Sequence, residues 1–147
     1  MKLIAKSLSS AHGDRYHGIK TCRVPDVLIP SRWALEFKIV RPFGDNGFEA
    51  EHWSQNLMHP YAGNVSAIAD ALKLMRHEGD ERRGIVVIAY EHVPPKIDTN
   101  LLVSAFELVS RELLRIPLGG RAVSVVENCV HPVHQRAIIS GWEIAAE

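Results

Sequence analysis

Apolar residues recur at two different periods along this chain, and the switches between them mark out its elements. From Trp33 to Val40 they alternate, so that Leu35, Phe37 and Ile39 face one way while Glu36, Lys38 and Val40 face the other. The stretch from about Ile19 to Ile29 is also rich in β-branched and apolar residues, and Pro30-Ser31 supplies a turn between the two runs, which predicts a hairpin. Residues 85 to 90, IVVIAY, have no polar face, as suits a strand covered on both sides and central in its sheet. Two more strands, Ala122 to Glu127 and Ala137 to Ile144, flank the turn-like segment HPVH.

Helical periods fill the intervals. Residues 2 to 10 predict a short helix with Leu3, Ile4 and Leu8 on one side. A second helix starts with Asn64 or Ser66 as its cap, lines up Val65, Ile68, Leu72 and Met75, and stops at Gly79. A third, capped by Asp98 or Thr99, runs to about Leu114 with a stripe of Leu102, Ala105, Phe106, Val109 and Leu113, and Glu107 pairs with Arg111 across one turn. Pro117 and Gly119-Gly120 end it. The long segment after Arg41 reads as a functional loop holding Trp53 and Tyr61. The expected fold is α/β at the border of α+β: a single domain over residues 1–147, with a central mixed sheet flanked by helices.

Composition narrows the class. A chain of 147 residues with 46% hydrophobic and 23% charged side chains reads as one soluble globular domain, and no apolar run reaches the ~20 residues of a membrane helix. Its first residues, broken by Lys6 and serines, lack the continuous core of a secretory signal, so a cytoplasmic location is expected, with Cys22 and Cys129 as reduced thiols. Zero net charge does not advertise a nucleic-acid binder. Charge distribution matters more, and His12, Arg15, His17, Lys20 and Arg23 cluster ahead of Asp26 with only Asp14 opposing them.

The candidate chemistry lies in the hairpin, VPDVLIPSRWALEFKIVR. Pro25-Asp26 and Glu36-Phe37-Lys38 place two acids on neighbouring strands, where hard carboxylate oxygens could converge on a divalent ion. The main-chain carbonyl of Phe37 offers a third oxygen. A metal so held neutralises phosphate charge and acidifies a bound water, which Lys38 can orient. The bland alternative makes Asp26 a turn residue and Glu36 and Lys38 the solvated face of an amphipathic strand.

A hairpin carrying Pro-Asp and then Glu-x-Lys, followed by a helix and an apolar strand, resembles the PD-(D/E)xK phosphodiesterase superfamily over about residues 15 to 92. The resemblance implies a restriction-endonuclease-like core and a magnesium-dependent DNA endonuclease of restriction-like or repair role, with manganese as a substitute ion. It assigns Asp26, Glu36 and the Phe37 carbonyl to the metal and Lys38 to the attacking water, and makes Asp26, Glu36 and Lys38 the catalytic set. Many members carry a further acid on the helix before the hairpin, but residues 1 to 13 hold no Asp or Glu, leaving Asp14 as the upstream candidate. The Gln-x-x-x-Tyr pattern of RecB-like members is not matched by the spacing of Gln55 and Tyr61. Asp14, Arg15, His17 and Gln55 are cleft or substrate-binding candidates, with His52 and Tyr61 behind them. One site per small subunit makes a homodimer the simplest way to cut a duplex of double-stranded or branched DNA.

Two other readings compete. Cys129, His131 and His134 form C-x-H-x-x-H, whose ligand types could share zinc, but it lacks a clear fourth ligand and sits between predicted strands, so a turn with a buried thiol is the expected reading. The same fold could also serve as a non-catalytic binding or assembly domain, with the neutral charge reflecting a protein partner.

Overall fold

The computed structural model describes residues 1–50, 54–59 and 65–145. They build one six-stranded sheet from β1 (Lys20–Thr21), β2 (Val27–Ile29), β3 (Trp33–Val40), β4 (Arg82–Glu91), β5 (Ala122–Val126) and β6 (Arg136–Ile144), in the order β1-β2-β3-β4-β6-β5. Four helices accompany it: α1 (Lys2–Ala11), α2 (Gln55–Met58), α3 (Ala67–Met75) and α4 (Thr99–Leu108). Only β3 and β4 pair in parallel and every other pair is antiparallel, so the class is α+β with a mixed sheet.

The predicted hairpin forms as β2 and β3, with Val27 opposite Leu35 and Ile29 opposite Trp33. Its first arm is not the continuous strand that the apolar spacing suggests. Residues 22–26 leave the ladder in a turn closed by the Cys22 N–H donating to the Asp26 carbonyl (3.2 Å), because Pro25 has no N–H to give a strand partner. That turn leaves Asp26 immediately before β2.

Parallel pairing of β3 and β4, with Glu36 opposite Ile85 and Lys38 opposite Val87, requires a crossover, and α3 lies within it. The Ser66 hydroxyl caps α3 by accepting the Ala69 N–H (3.1 Å). Because Ser66 is the cap, Val65 precedes the helix and is 67% exposed, and the buried positions are Ala67, Ile68, Ala69, Asp70, Ala71 and Leu74, while Leu72 and Met75 of the expected stripe pack only partly buried against the core. The phase error matters, since it hides an acid.

Asp98 caps α4 through the Leu101 N–H (3.0 Å). The helix then widens into a π-helical turn over Val109–Leu113, which adds a residue to the turn and rotates the chain beyond Val109, so Leu113 is exposed while Val103, Phe106 and Ser110 are buried. Phe106 packs on Trp142 of β6 with ring centroids 5.0 Å apart, and the indole N–H donates to Glu107 (2.7 Å). Glu107 also faces Arg111, as the sequence predicts, at 3.8 Å.

Helices α2, α3 and α4 share the core with the sheet face that carries Ala34, Val40, Ile85, Val87 and Trp142. On the opposite face, Leu8 of α1 and Tyr16 line a shallow apolar groove with Trp33, Leu35 and Val86. No helix among the described residues is long and apolar enough to cross a membrane.

Gly84 on β4 marks a close approach between neighbouring strands of the sheet. A Cβ there would lie 2.9 Å from Leu35 Cδ2 and 3.3 Å from the Trp142 carbonyl, whereas one at Gly141 meets nothing closer than 3.8 Å. Gly84→Val is therefore expected to destabilise the fold by about 1–3 kcal/mol, and Gly141→Ala by less than about 1 kcal/mol, as measured by shifts in the denaturant midpoint.

Candidate active site at the hairpin and helix α3

Asp26 stands at the mouth of β2 and its Oδ2 accepts the Phe37 N–H (3.0 Å), which ties the turn to the middle of β3. A strand residue projects its N–H and C=O from the same edge, so the Phe37 carbonyl leaves β3 on the Asp26 side, where β2 has already ended. Glu36 and Lys38 point to the helix-covered face, and Glu36 is only 4% exposed. Sequence alternation places these two on one side, and the structure agrees.

From the helix layer, α3 adds Asp70, 3% exposed. Lys38 Nζ lies 2.5 Å from Asp70 Oδ2, and Lys73, one turn further along α3, lies 2.6 Å from Oδ1. One carboxylate thus bridges two ammonium groups. The lysine of the hairpin is anchored to the helix, and the two elements that frame the site are joined by charge.

Glu36 carries the strain of this arrangement. Its pKa is raised from 4.5 to about 8, first because burial strips the carboxylate of water, then because the charges of Asp70 and Asp26 oppose it and Asp26 hydrogen-bonds it, with Lys38 only partly offsetting them. At neutral pH the proton stays on Glu36. Its Oε1 is nonetheless buried without a hydrogen-bond partner among the described residues. A buried oxygen of this kind costs about 1–3 kcal/mol, and the Asp26 carboxylate is near enough to raise the Glu36 pKa. The oxygens of Asp26, Glu36 and the Phe37 carbonyl belong to the hard class of donor that magnesium or manganese takes.

The remaining candidates divide. Asp14, Arg15 and His17 are exposed on the segment between α1 and β1. The Arg15 carbonyl accepts from Arg32 (2.6 Å) at the Pro30-Ser31 end of the hairpin, some five residues of strand from Lys38, and Tyr16 lines the groove on the opposite face. No contact joins this segment to the carboxylates among the described residues. Gln55 lies not in a loop but in α2, which packs on both β3 and α3 over the Glu36 face. His52, Trp53 and Tyr61 lie outside the described residues.

Asp70 and Lys73 were missed by the sequence reasoning. The available signal was an acid inside the apolar run VSAIADALKLM, on the same helical face as Ala67, Ala71 and Leu74. A helix that buries an acid with its core stripe presents it to something.

The C-x-H-x-x-H segment forms the connection between β5 and β6, with Cys129 half-buried. Among the described residues, His131 and His134 cluster with Asp45, not with Cys129, and the Cys129 thiol instead faces the Val126 carbonyl at 4.0 Å. The His134 Nε2 meets Asp45 Oδ1 at 2.9 Å, and the two imidazoles stack with centroids 4.6 Å apart. His131 Nδ1 accepts the N–H groups of both Val133 and His134 (3.2 and 3.1 Å), so its lone pair is already used to shape the turn. The ligand atoms of Asp45, His131 and His134 lie within 4.8 Å of one another, a spacing at which the three could hold a metal ion.

The Glu36 environment has a measurable sign. A carboxyl whose pKa is raised on folding binds its proton more tightly in the folded state, so its contribution is fully present below about pH 4.5 and lost as pH rises through about 8. Melting temperature is expected to fall across that window in the wild type, and Glu36→Gln should flatten the profile. An unchanged slope in the variant would show that other groups set the pH dependence.

Comparison with known proteins finds no family model, no curated protein and no solved structure that matches this chain.

Proposed function

We propose that this protein is a magnesium-dependent endonuclease that hydrolyses phosphodiester bonds of double-stranded or branched DNA, in a restriction-like or repair role. The observation that carries this reading is the proximity of Asp26, Glu36 and Lys38, from the two arms of one hairpin, with a Glu36 oxygen that is buried without a hydrogen-bond partner among the described residues. The chain order supports it as well: the hairpin of β2 and β3 is followed by helices α2 and α3 and then the apolar strand β4, in keeping with the hairpin, helix and apolar strand on which the PD-(D/E)xK resemblance rests.

In this reading Asp26, Glu36 and the Phe37 carbonyl hold the ion. When bound, it supplies charge neutralisation at the phosphate and a more acidic water. Glu36 must release its proton to serve as a ligand, so binding is coupled to pH and tightens as pH rises toward and beyond 8. Lys38, held by Asp70, keeps its ammonium beside the oxygens rather than out in solvent, where it can position the attacking water. Asp70 acts through Lys38 as a positioning residue, and Lys73 balances its charge.

The engagement of Lys38 by Asp70 at 2.5 Å also favours a second reading, in which the cluster is a locked structural element of a non-catalytic binding or assembly domain. Metal binding separates the two. Calorimetry is expected to show magnesium or manganese binding that is stronger at pH 9 than at pH 6.5 and absent in Asp26→Asn. Lys38→Ala should reduce cleavage of plasmid and branched DNA by about 10²-fold or more while the fold, followed by circular dichroism, persists. Absence of metal binding, or undiminished cleavage by Lys38→Ala, would overturn the catalytic reading.

A further inference from the structure

The two edges of the sheet are treated very differently. β1 is only two residues long and presents almost no edge. β5 is five residues, Ala122–Val126, pairs among the described residues with β6 along one side only, and is exposed at every position. Four of its five residues are apolar, and Val123, Val125 and Val126 are 55%, 45% and 43% exposed. Strands at sheet edges are ordinarily shielded by charges, prolines, bulges or extreme shortness, because their free N–H and C=O groups template another strand. β5 has none of these within it.

Its ends indicate what would cover it. Arg121 precedes the strand and Glu127 follows it. If two copies of β5 pair antiparallel about a two-fold axis through Ser124, then Ala122 meets Val126 of the other copy, Val123 meets Val125, and Arg121 meets Glu127. Directly opposed residues in an antiparallel pair share a face with Cβ atoms ~5 Å apart, so the exposed valines would cover one another. Sliding the strands by two residues sets a charge against a valine. The self-matching register is also the one that pairs the opposite charges.

We propose that this protein forms a homodimer through antiparallel pairing of β5 with β5 of a second copy, centred on Ser124, giving one continuous twelve-stranded sheet. Charge complementarity at both ends selects a second copy over an unrelated strand. Within one chain Arg121 already lies 3.6 Å from Glu107, and Glu127 lies 2.9 Å from Arg136. Pairing therefore completes a chain of alternating charges, Glu107, Arg121, then Glu127 and Arg136 of the second copy, at each end of the seam. The interface is isologous, as a two-fold dimer demands, and it does not depend on the catalytic reading.

The test is register-specific cross-linking in a background with Cys22→Ser and Cys129→Ser. Ser124→Cys is expected to form a disulfide dimer with itself, while Val123→Cys should cross-link with Val125→Cys in a mixture and neither with itself. Successive antiparallel pairs alternate between narrow and wide spacing, so one of these two tests falls at a narrow pair suited to a disulfide. In solution, sedimentation should give a dimer. Arg121→Glu and Glu127→Arg should each weaken it by about tenfold or more, and the double variant should restore it. Val125→Lys, a change at an exposed site, should yield a folded monomer. A monomeric wild type, a dimer unaffected by Val125→Lys, or cross-links in another register would overturn the proposal.

Discussion

The parallel pairing of β3 with β4 is the constraint on which the rest of this molecule depends. Antiparallel neighbours can be joined by a tight turn, but parallel ones require the chain to travel back over the sheet. Here the return is made by α3, and the Ser66 cap fixes where that helix starts and so which residues face inward. The same geometry sets Asp70 over Glu36 and Lys38. A helix started one residue earlier would turn another side chain toward the strand.

Burial then gives this meeting its chemical character. Glu36 is buried and opposed by the charges of Asp26 and Asp70, while Lys38 and Lys73 both pair with Asp70 and Lys38 offsets the repulsion at Glu36 only in part. Three such carboxylates cannot all ionise cheaply, so a proton remains on Glu36 unless a cation replaces it. Buried charge clusters seldom stabilise a fold as much as well-packed apolar side chains of the same volume would. Apolar burial in the adjoining core comes from Phe106, Trp142, Ile85 and Val87.

Elsewhere the structure shows the same interplay between local pattern and long-range contact. The π-helical turn after α4 rotates Leu113 to the surface, and the Ile116 N–H bonds the Ser110 carbonyl as the chain leaves the turn (2.8 Å). His131 and His134 resemble metal ligands in sequence, yet one shapes a turn and the other bridges to Asp45, 89 residues away. The sheet ends in one blunt edge and one bare edge, and α1 covers the far face at the blunt side while β5 stands uncovered.

What the sequence determined was local. Alternation placed Glu36 and Lys38 on one face of β3, the unbroken run IVVIAY marked the central strand, and Ser66 and Asp98 were among the expected helix caps, because these signals act between residues a few positions apart. The interruption of the first strand at Pro25 was visible as a proline but not given its weight. Tertiary structure alone decided that Asp70 would join the hairpin, that Gln55 would lie in a helix over the site and Arg15 at the hairpin's far end, and that Asp45 rather than Cys129 would meet the histidines. The meetings with Asp70 and Gln55 rest on how the helices sit against β3, and those of Arg15 and Asp45 on how distant loops come together. Such contacts join segments far apart along the chain, where hydrophobic period carries no information about which residues will touch.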